Sequence, residues 1–108
     1  MYVRTIVCGG TFMKIVWDKV KSAKNLVKHD IDFETAQRVF DDPYQLSEQD
    51  RIEGHEYRWQ TSGMIKNNVV MVGHNYEVRD GEEIIRIITA RLATPKERRR
   101  YHEDTNDS

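Results

Sequence analysis

Three arginines stand in runs where a charge is costly. Arg58 follows Glu56 in the stretch His55 to Ser62, which alternates in type: His55, Tyr57, Trp59 and Thr61 on one side, Glu56, Arg58 and Gln60 on the other. Arg86 and Arg91 interrupt Ile84 to Leu92, a run dense in isoleucine. A charged side chain in a strand has to be paired or exposed. One reading is an ion pair between Glu56 and one of these arginines. The other is a cationic sheet face that binds phosphate, since the planar guanidinium fork matches phosphate oxygens. Two further basic groups extend the second reading. Lys21, Lys24 and Lys28 fall together at helical spacing, and Arg98-Arg99-Arg100 form a run. Each of these groups reads equally as a solvated face or as a polyanion contact.

Other chemistries lack their residues. His29, His55, His74 and His102 show no metal-binding spacing and no HExxH. Gly9-Gly10 has no phosphate-loop context, and neither GxSxG nor SxxK occurs. The single Cys8 excludes a disulfide framework and a four-cysteine zinc site, and suits a reducing, cytoplasmic setting. No cofactor is implied. Hydrophobic residues make up 38% of the 108 and charged residues 32%, proportions of a single globular domain. No apolar run approaches the roughly 20 residues that span a bilayer. The net charge of −1 hides a pattern. Residues 13–29 hold five lysines against Asp18, residues 30–56 nine acids against Arg38 and Arg51, and residues 86–100 six bases against Glu97. Two basic blocks therefore flank an acidic one, and such patches select partners of opposite charge.

The elements that must position these groups are legible in outline. Residues 1–12 read as an extension, either a start assigned too early, a loose tail or an added edge strand, and the domain proper as 13–104. Met13 to Trp17 is strand-like. Asp18 caps a helix to about Lys28, with Val20, Ala23 and Val27 on one face and Leu26 at its edge. Asp32 caps a second helix, Phe33 to Phe40, which Asp41-Asp42-Pro43 ends. Its apolar stripe is Phe33, Ala36, Val39 and Phe40. A short strand at Tyr44 to Glu48, a turn over 49–54, and the alternating strand follow. A hairpin turn near Lys66-Asn67-Asn68 leads to Val69 to Tyr76, apolar on both sides as a central strand is. Arg79-Asp80-Gly81 turns the chain into Ile84 to Leu92. Thr94-Pro95-Lys96-Glu97 is a capping box with proline at its first helical position, opening a helix to about Glu103, beyond which the tail from His102 frays. This order predicts an α+β fold: an N-terminal strand and a helix pair packed on an antiparallel sheet of about four to five strands, then a C-terminal helix.

Taken in order, several blocks resemble one family. They are Trp17-Asp18, Lys24-Asn25-Leu26-Val27-Lys28-His29, Phe33-Glu34-Thr35-Ala36, Val39-Phe40-Asp41-Asp42-Pro43, Glu56-Tyr57-Arg58, Ile85-Arg86-Ile87-Ile88-Thr89-Ala90-Arg91 and Glu97-Arg98-Arg99-Arg100-Tyr101. Together they resemble the BrnT toxins of bacterial type II toxin–antitoxin systems, over Met13 to Tyr101. Three positions depart from the family's usual pattern: Asp30 stands where glycine is frequent, Ser62-Gly63 where Ile-Gly is usual, and Thr89 where serine is usual.

The resemblance implies a RelE-like fold and a metal-independent ribonuclease that blocks translation. It implies a BrnA-like antitoxin with a ribbon-helix-helix part, in a heterotetramer that binds operator DNA through the antitoxin. Cleaving RNA requires the 2′-OH to attack the neighbouring phosphate, so the site must take a proton, give one, and neutralise a crowded phosphorane. His29 or Glu56 can act as base, and Arg58, Arg86 and Arg91 can hold the phosphate. Lys24, Lys28 and Arg99 are the candidate RNA contacts. A module that binds RNA or protein without cleaving is the alternative. Because the regular pattern begins at Met13, a chain starting there should melt close to the full chain. A loss above roughly 2 kcal/mol, the range of one buried side chain, would make the extension part of the fold.

Overall fold

The computed structural model describes the backbone of residues 2–8, 11–53 and 56–106, and the side chains of Thr5 and of residues 13–50 and 58–103. Gly54 and His55 lie outside the described residues. The chain runs β1 (Tyr2–Cys8), β2 (Thr11–Trp17), α1 (Lys19–His29), α2 (Phe33–Ala36), a 3-10 turn η1 (Gln37–Asp41), β3 (Leu46–Glu53), β4 (Glu56–Ile65), β5 (Asn68–Arg79), β6 (Glu82–Leu92) and α3 (Pro95–Asn106). The strands form one sheet in the order β1-β2-β6-β5-β4-β3. All neighbours are antiparallel except β2 and β6. A parallel pair needs a crossover, and α1 with the later hairpins supplies it.

The α+β architecture is the expected one, with six strands once the edge strand β1 is included. Local signals hold where they are strongest. The Asp18 carboxylate accepts from the backbone N–H of Val20 and Lys21, and that of Asp32 from Thr35. Asp30 takes the left-handed conformation at the end of α1, with φ 61°, which explains why glycine would serve there. The capping box closes in both directions, Thr94 N–H to Glu97 at 2.8 Å and Glu97 N–H to Thr94 Oγ1 at 3.2 Å. Three expectations are corrected. The stretch 49–53 is not a turn, because β3 continues along β4 to Glu53 past a bulge at Gln49/Arg51. The second helix tightens into the 3-10 turn after Ala36. The tail from His102 does not fray at once; α3 persists to Asn106, held by buried Tyr101.

The main core lies on one sheet face. Phe33, Ala36 and Val39 of the helix pair meet Ile15 and Trp17 of β2, Val70 and Val72 of β5, and Ile85, Ile87 and Ala90 of β6. Gly63 lets η1 approach β4 closely, since a Cβ there would lie 2.8 Å from both Val39 Cγ1 and its carbonyl oxygen. On the opposite face α3 covers one end of the sheet, where Tyr101 and Ala93 pack with Val69. Asp42 ties these layers. Its carboxylate accepts from Met64 N–H at 2.7 Å, Tyr44 N–H at 2.9 Å and the Tyr101 hydroxyl. Burial works to raise its pKa, and these three donors overcome that and hold it below the usual carboxylate value.

One polar chain enters the core. Ser47, Thr61 and His74 are linked by hydrogen bonds of 2.8 Å and 2.7 Å, and His74 Nδ1 lies 3.1 Å from the Asn75 carbonyl. Nδ1 donates to that carbonyl when the imidazole is neutral, which leaves Nε2 to accept from the Thr61 hydroxyl. Burial drives the His74 pKa down from 6.5 to about 4, so the ring is neutral at neutral pH. The unfolded chain then binds a proton below pH 6.5 that the folded chain refuses until about 4. Stability should fall across that window by on the order of 3 kcal/mol, about 1.4 kcal/mol per pH unit. Glu97 and Asp42, both lowered, add their losses only below their ordinary 4.5 and 3.8. Denaturant unfolding through the window checks this. His74→Gln should flatten the slope, whatever its effect on stability at neutral pH.

Candidate active site

The face opposite the helix pair carries charge where the first face carries core. Arg58 of β4 is registered against Asn75 of β5, and Asn75 against Arg86 of β6. These three residues form one row across adjacent strands. Strands lie about 4.8 Å apart, so the two arginines leave the sheet about 10 Å from each other. Two long arms at that spacing can close on one phosphate group between them.

The row forms the floor of a cavity of about 500 Å³ lined by Lys21, Arg58, Asn75, Glu77, Arg79 and Arg86, with Ile84 and Ile88 as apolar wall. Four cations thus face one carboxylate. Arg79 and Glu77 make a loose exposed pair at 3.4 Å. With base in such excess over acid, the field in the cavity is positive and suits an anion. Sequence reasoning foresaw Arg58 and Arg86, placed Lys21 only within the lysine face of the first helix, and missed Asn75 and Arg79. Asn75 and Arg79 follow from Arg58 and Arg86 only once the β4-β5-β6 register is known. Lys21 follows only once α1 is placed.

The other expected residues go elsewhere. Arg91 lies farther along β6, against Met71, and its guanidinium grips Glu97 with two bonds of 2.8 and 3.1 Å. That hydrogen bonding raises the Arg91 pKa and lowers that of Glu97. Arg91 therefore anchors the start of α3. His29 sits at the end of α1 and lines a separate hollow with Ile31, Arg38, Lys66 and Leu92. Glu56 opens β4 two residues before Arg58, and its side chain lies outside those described. Lys24 and Lys28 are exposed along α1 beyond Lys21, and Arg99 is exposed on α3. Among the described residues, no three of His, Cys, Asp and Glu come together as metal ligands would. No helix among them is long and apolar enough to cross a membrane.

Lys21 reaches the cavity because of how α1 is docked. β2 pairs with β6 only from Met13↔Glu83 to Val16↔Arg86. Beyond Arg86 that edge of β6 meets α1 instead. The Asn25 side chain donates to the Ala90 carbonyl at 2.8 Å and accepts from the Ala90 N–H at 3.3 Å. It also donates to the Ile31 carbonyl at 2.7 Å. One turn earlier, Ser22 Oγ accepts from Phe33 N–H at 2.9 Å. The inward face of α1 is thus polar, and the face that carries Val20, Ala23 and Val27 is turned outward.

A small α+β domain with an arginine pair set in a polar cavity on an open sheet face is the class of protein that these features define. The family model of BrnT, the ribonuclease toxin of type II toxin–antitoxin systems, matches residues 17–97. The chain belongs to this family, and is a toxin whose system includes an antitoxin partner. A search of curated proteins found no match.

Proposed function

We propose that this chain is a metal-independent endoribonuclease that halts translation, with the reaction on the row Arg58–Asn75–Arg86. The registered pair of arginines in a cationic cavity is the observation that carries this reading. The substrate phosphate sits between the two guanidiniums. The 2′-oxygen loses its proton to a carboxylate and attacks phosphorus, giving a phosphorane that is richer in negative charge than the ground state. The arginines bind that charge more strongly than they bind the diester, which is what lowers the barrier. Phosphorus then expels the 5′-oxygen, which takes a proton, leaving a 2′,3′-cyclic phosphate and a 5′-hydroxyl.

The base is Glu77, which lines the cavity, or Glu56, whose strand carries Arg58. Lys21 is the cavity's lysine and stands as donor to the departing oxygen. Lys24 and Lys28 continue its row along α1 and, with Arg99, hold RNA outside the cavity. Arg91 and His29 take no part in this reading, because one is committed to Glu97 and the other lines a different hollow. A BrnA-like antitoxin of ribbon-helix-helix type neutralises the toxin, in a heterotetramer that binds operator DNA through the antitoxin.

Purified Arg58→Ala and Arg86→Ala proteins should each cleave RNA roughly 10²-fold more slowly, the scale of losing one transition-state donor. Their melting curves should stay near wild type, and lysine at either position should rescue poorly, because an ammonium cannot form the bidentate fork. Unchanged cleavage in both alanine variants would refute the site. RNA binding without cleavage products, in the unaltered chain, would favour the non-catalytic module. For the base, Glu77→Gln and Glu56→Gln are compared across pH. The variant of the true base loses the acidic limb of the rate profile along with most of its rate, and the other keeps both. Retention of the limb in both variants would exclude each carboxylate.

A further inference from the structure

The outward face of α1 is apolar. Val27 is 89% exposed, Val20 61% and Leu26 45%, and Ala23 is exposed between them. Val20, Ala23 and Val27 recur at helical spacing and form a stripe opposite Ser22 and Asn25, the buried side. A soluble helix ordinarily turns such a stripe inward. Here the inward place is taken by residues that hydrogen-bond Ala90 and Phe33, so the stripe is left outside by construction.

Lysines border the stripe along both of its long sides, and Asp30 stands at its C-terminal end. Lys24 and Lys28 flank it on the side that leads to Lys21, and Lys19 flanks it on the other. Lys21 in turn lines the arginine cavity. An apolar row between lysines is complementary to a segment with the reverse pattern, aliphatic residues bordered by Asp and Glu.

We propose that α1 is the docking helix for the antitoxin, which lays an acidic amphipathic segment on the Val20–Ala23–Val27 stripe. Its carboxylates meet Lys24, Lys28 and Lys21. Inhibition then has a direct cause: the same lysines that lead RNA to the cavity are covered, and acidic charge stands at its mouth. RNA and this segment therefore compete. The inference rests on the reading of the chain as an antitoxin-neutralised toxin. It needs no particular catalytic residue.

The test uses the full chain with the protein encoded by the neighbouring gene as the antitoxin probe. Val27→Glu alone, and Val20→Glu with Val27→Glu, change exposed helix positions where glutamate is a better helix former than valine. Both should fold with unaltered melting curves. Affinity for the antitoxin should fall at least tenfold in the double variant, RNA cleavage without antitoxin should match wild type, and the antitoxin should no longer restore growth. Affinity within twofold of wild type would overturn the proposal. So would slower cleavage with unchanged antitoxin affinity, which would make α1 an RNA contact, and so would loss of a homodimer of the chain with unchanged antitoxin affinity. If the unaltered chain cleaves no RNA yet binds the antitoxin through the stripe, the docking surface stands and the ribonuclease reading falls.

Discussion

The backbone of Ala90 has to be hydrogen-bonded on the side that β2 does not reach, and much of the molecule follows from that need. β2 ends its ladder at Arg86, so a strand edge would otherwise be bare beside the core. Unpaired N–H and C=O groups there cost more than most single contacts return. The Asn25 amide supplies what a neighbouring strand would, one donor and one acceptor to the same residue. Its second N–H goes to Ile31, and Thr89 Oγ1 lies 3.4 Å from its oxygen, so its capacity is filled. A helix that meets a strand edge in this way must turn a polar face inward. The orientation of α1, its outward valines and the position of its lysines are consequences.

The sheet separates stability from chemistry. The helix pair packs Phe33, Ala36 and Val39 onto one face, and the Ser47–Thr61–His74 chain is hydrogen-bonded on that side. Such satisfied polar networks stiffen a core rather than loosen it. The other face is divided along its length. α3 covers one end through Tyr101 and the Arg91–Glu97 fork, leaving the end with Arg58, Asn75 and Arg86 open. Charges mounted on paired strands lose little freedom when a ligand arrives, so a rigid sheet is a suitable base for a site that works by charge placement.

Some of this was legible in the residues. Caps at Asp18, Asp32 and Thr94, the alternation of β4, the two-sided apolar β5 and the Asp80-Gly81 turn are all written within a few residues of one another. Arg58 and Arg86 were legible for a related reason: charge inside a strand pattern has few explanations. The inward face of α1 was not legible, because a hydrophobic stripe states that a helix has an apolar side, without stating what lies beneath it. Arg91 looked equivalent to Arg86 in β6, yet it meets Glu97 only because α3 folds back across that end. His29 was a candidate base because it falls in one of the blocks that resemble the family, and the helix points it into a different hollow.

The sequence by itself determined most of the element types, their order, the α+β class and the family, because each depends on short-range signals or on blocks of residues in succession. Only the tertiary structure decided which cations share a cavity and which face of α1 is hidden. Those outcomes depend on register between strands distant in the chain, where a shift of one residue sends every side chain to the opposite face. They depend as well on where β2 stops along β6. No local pattern encodes that length, and it is the reason a buried asparagine, rather than a valine, holds α1 in place.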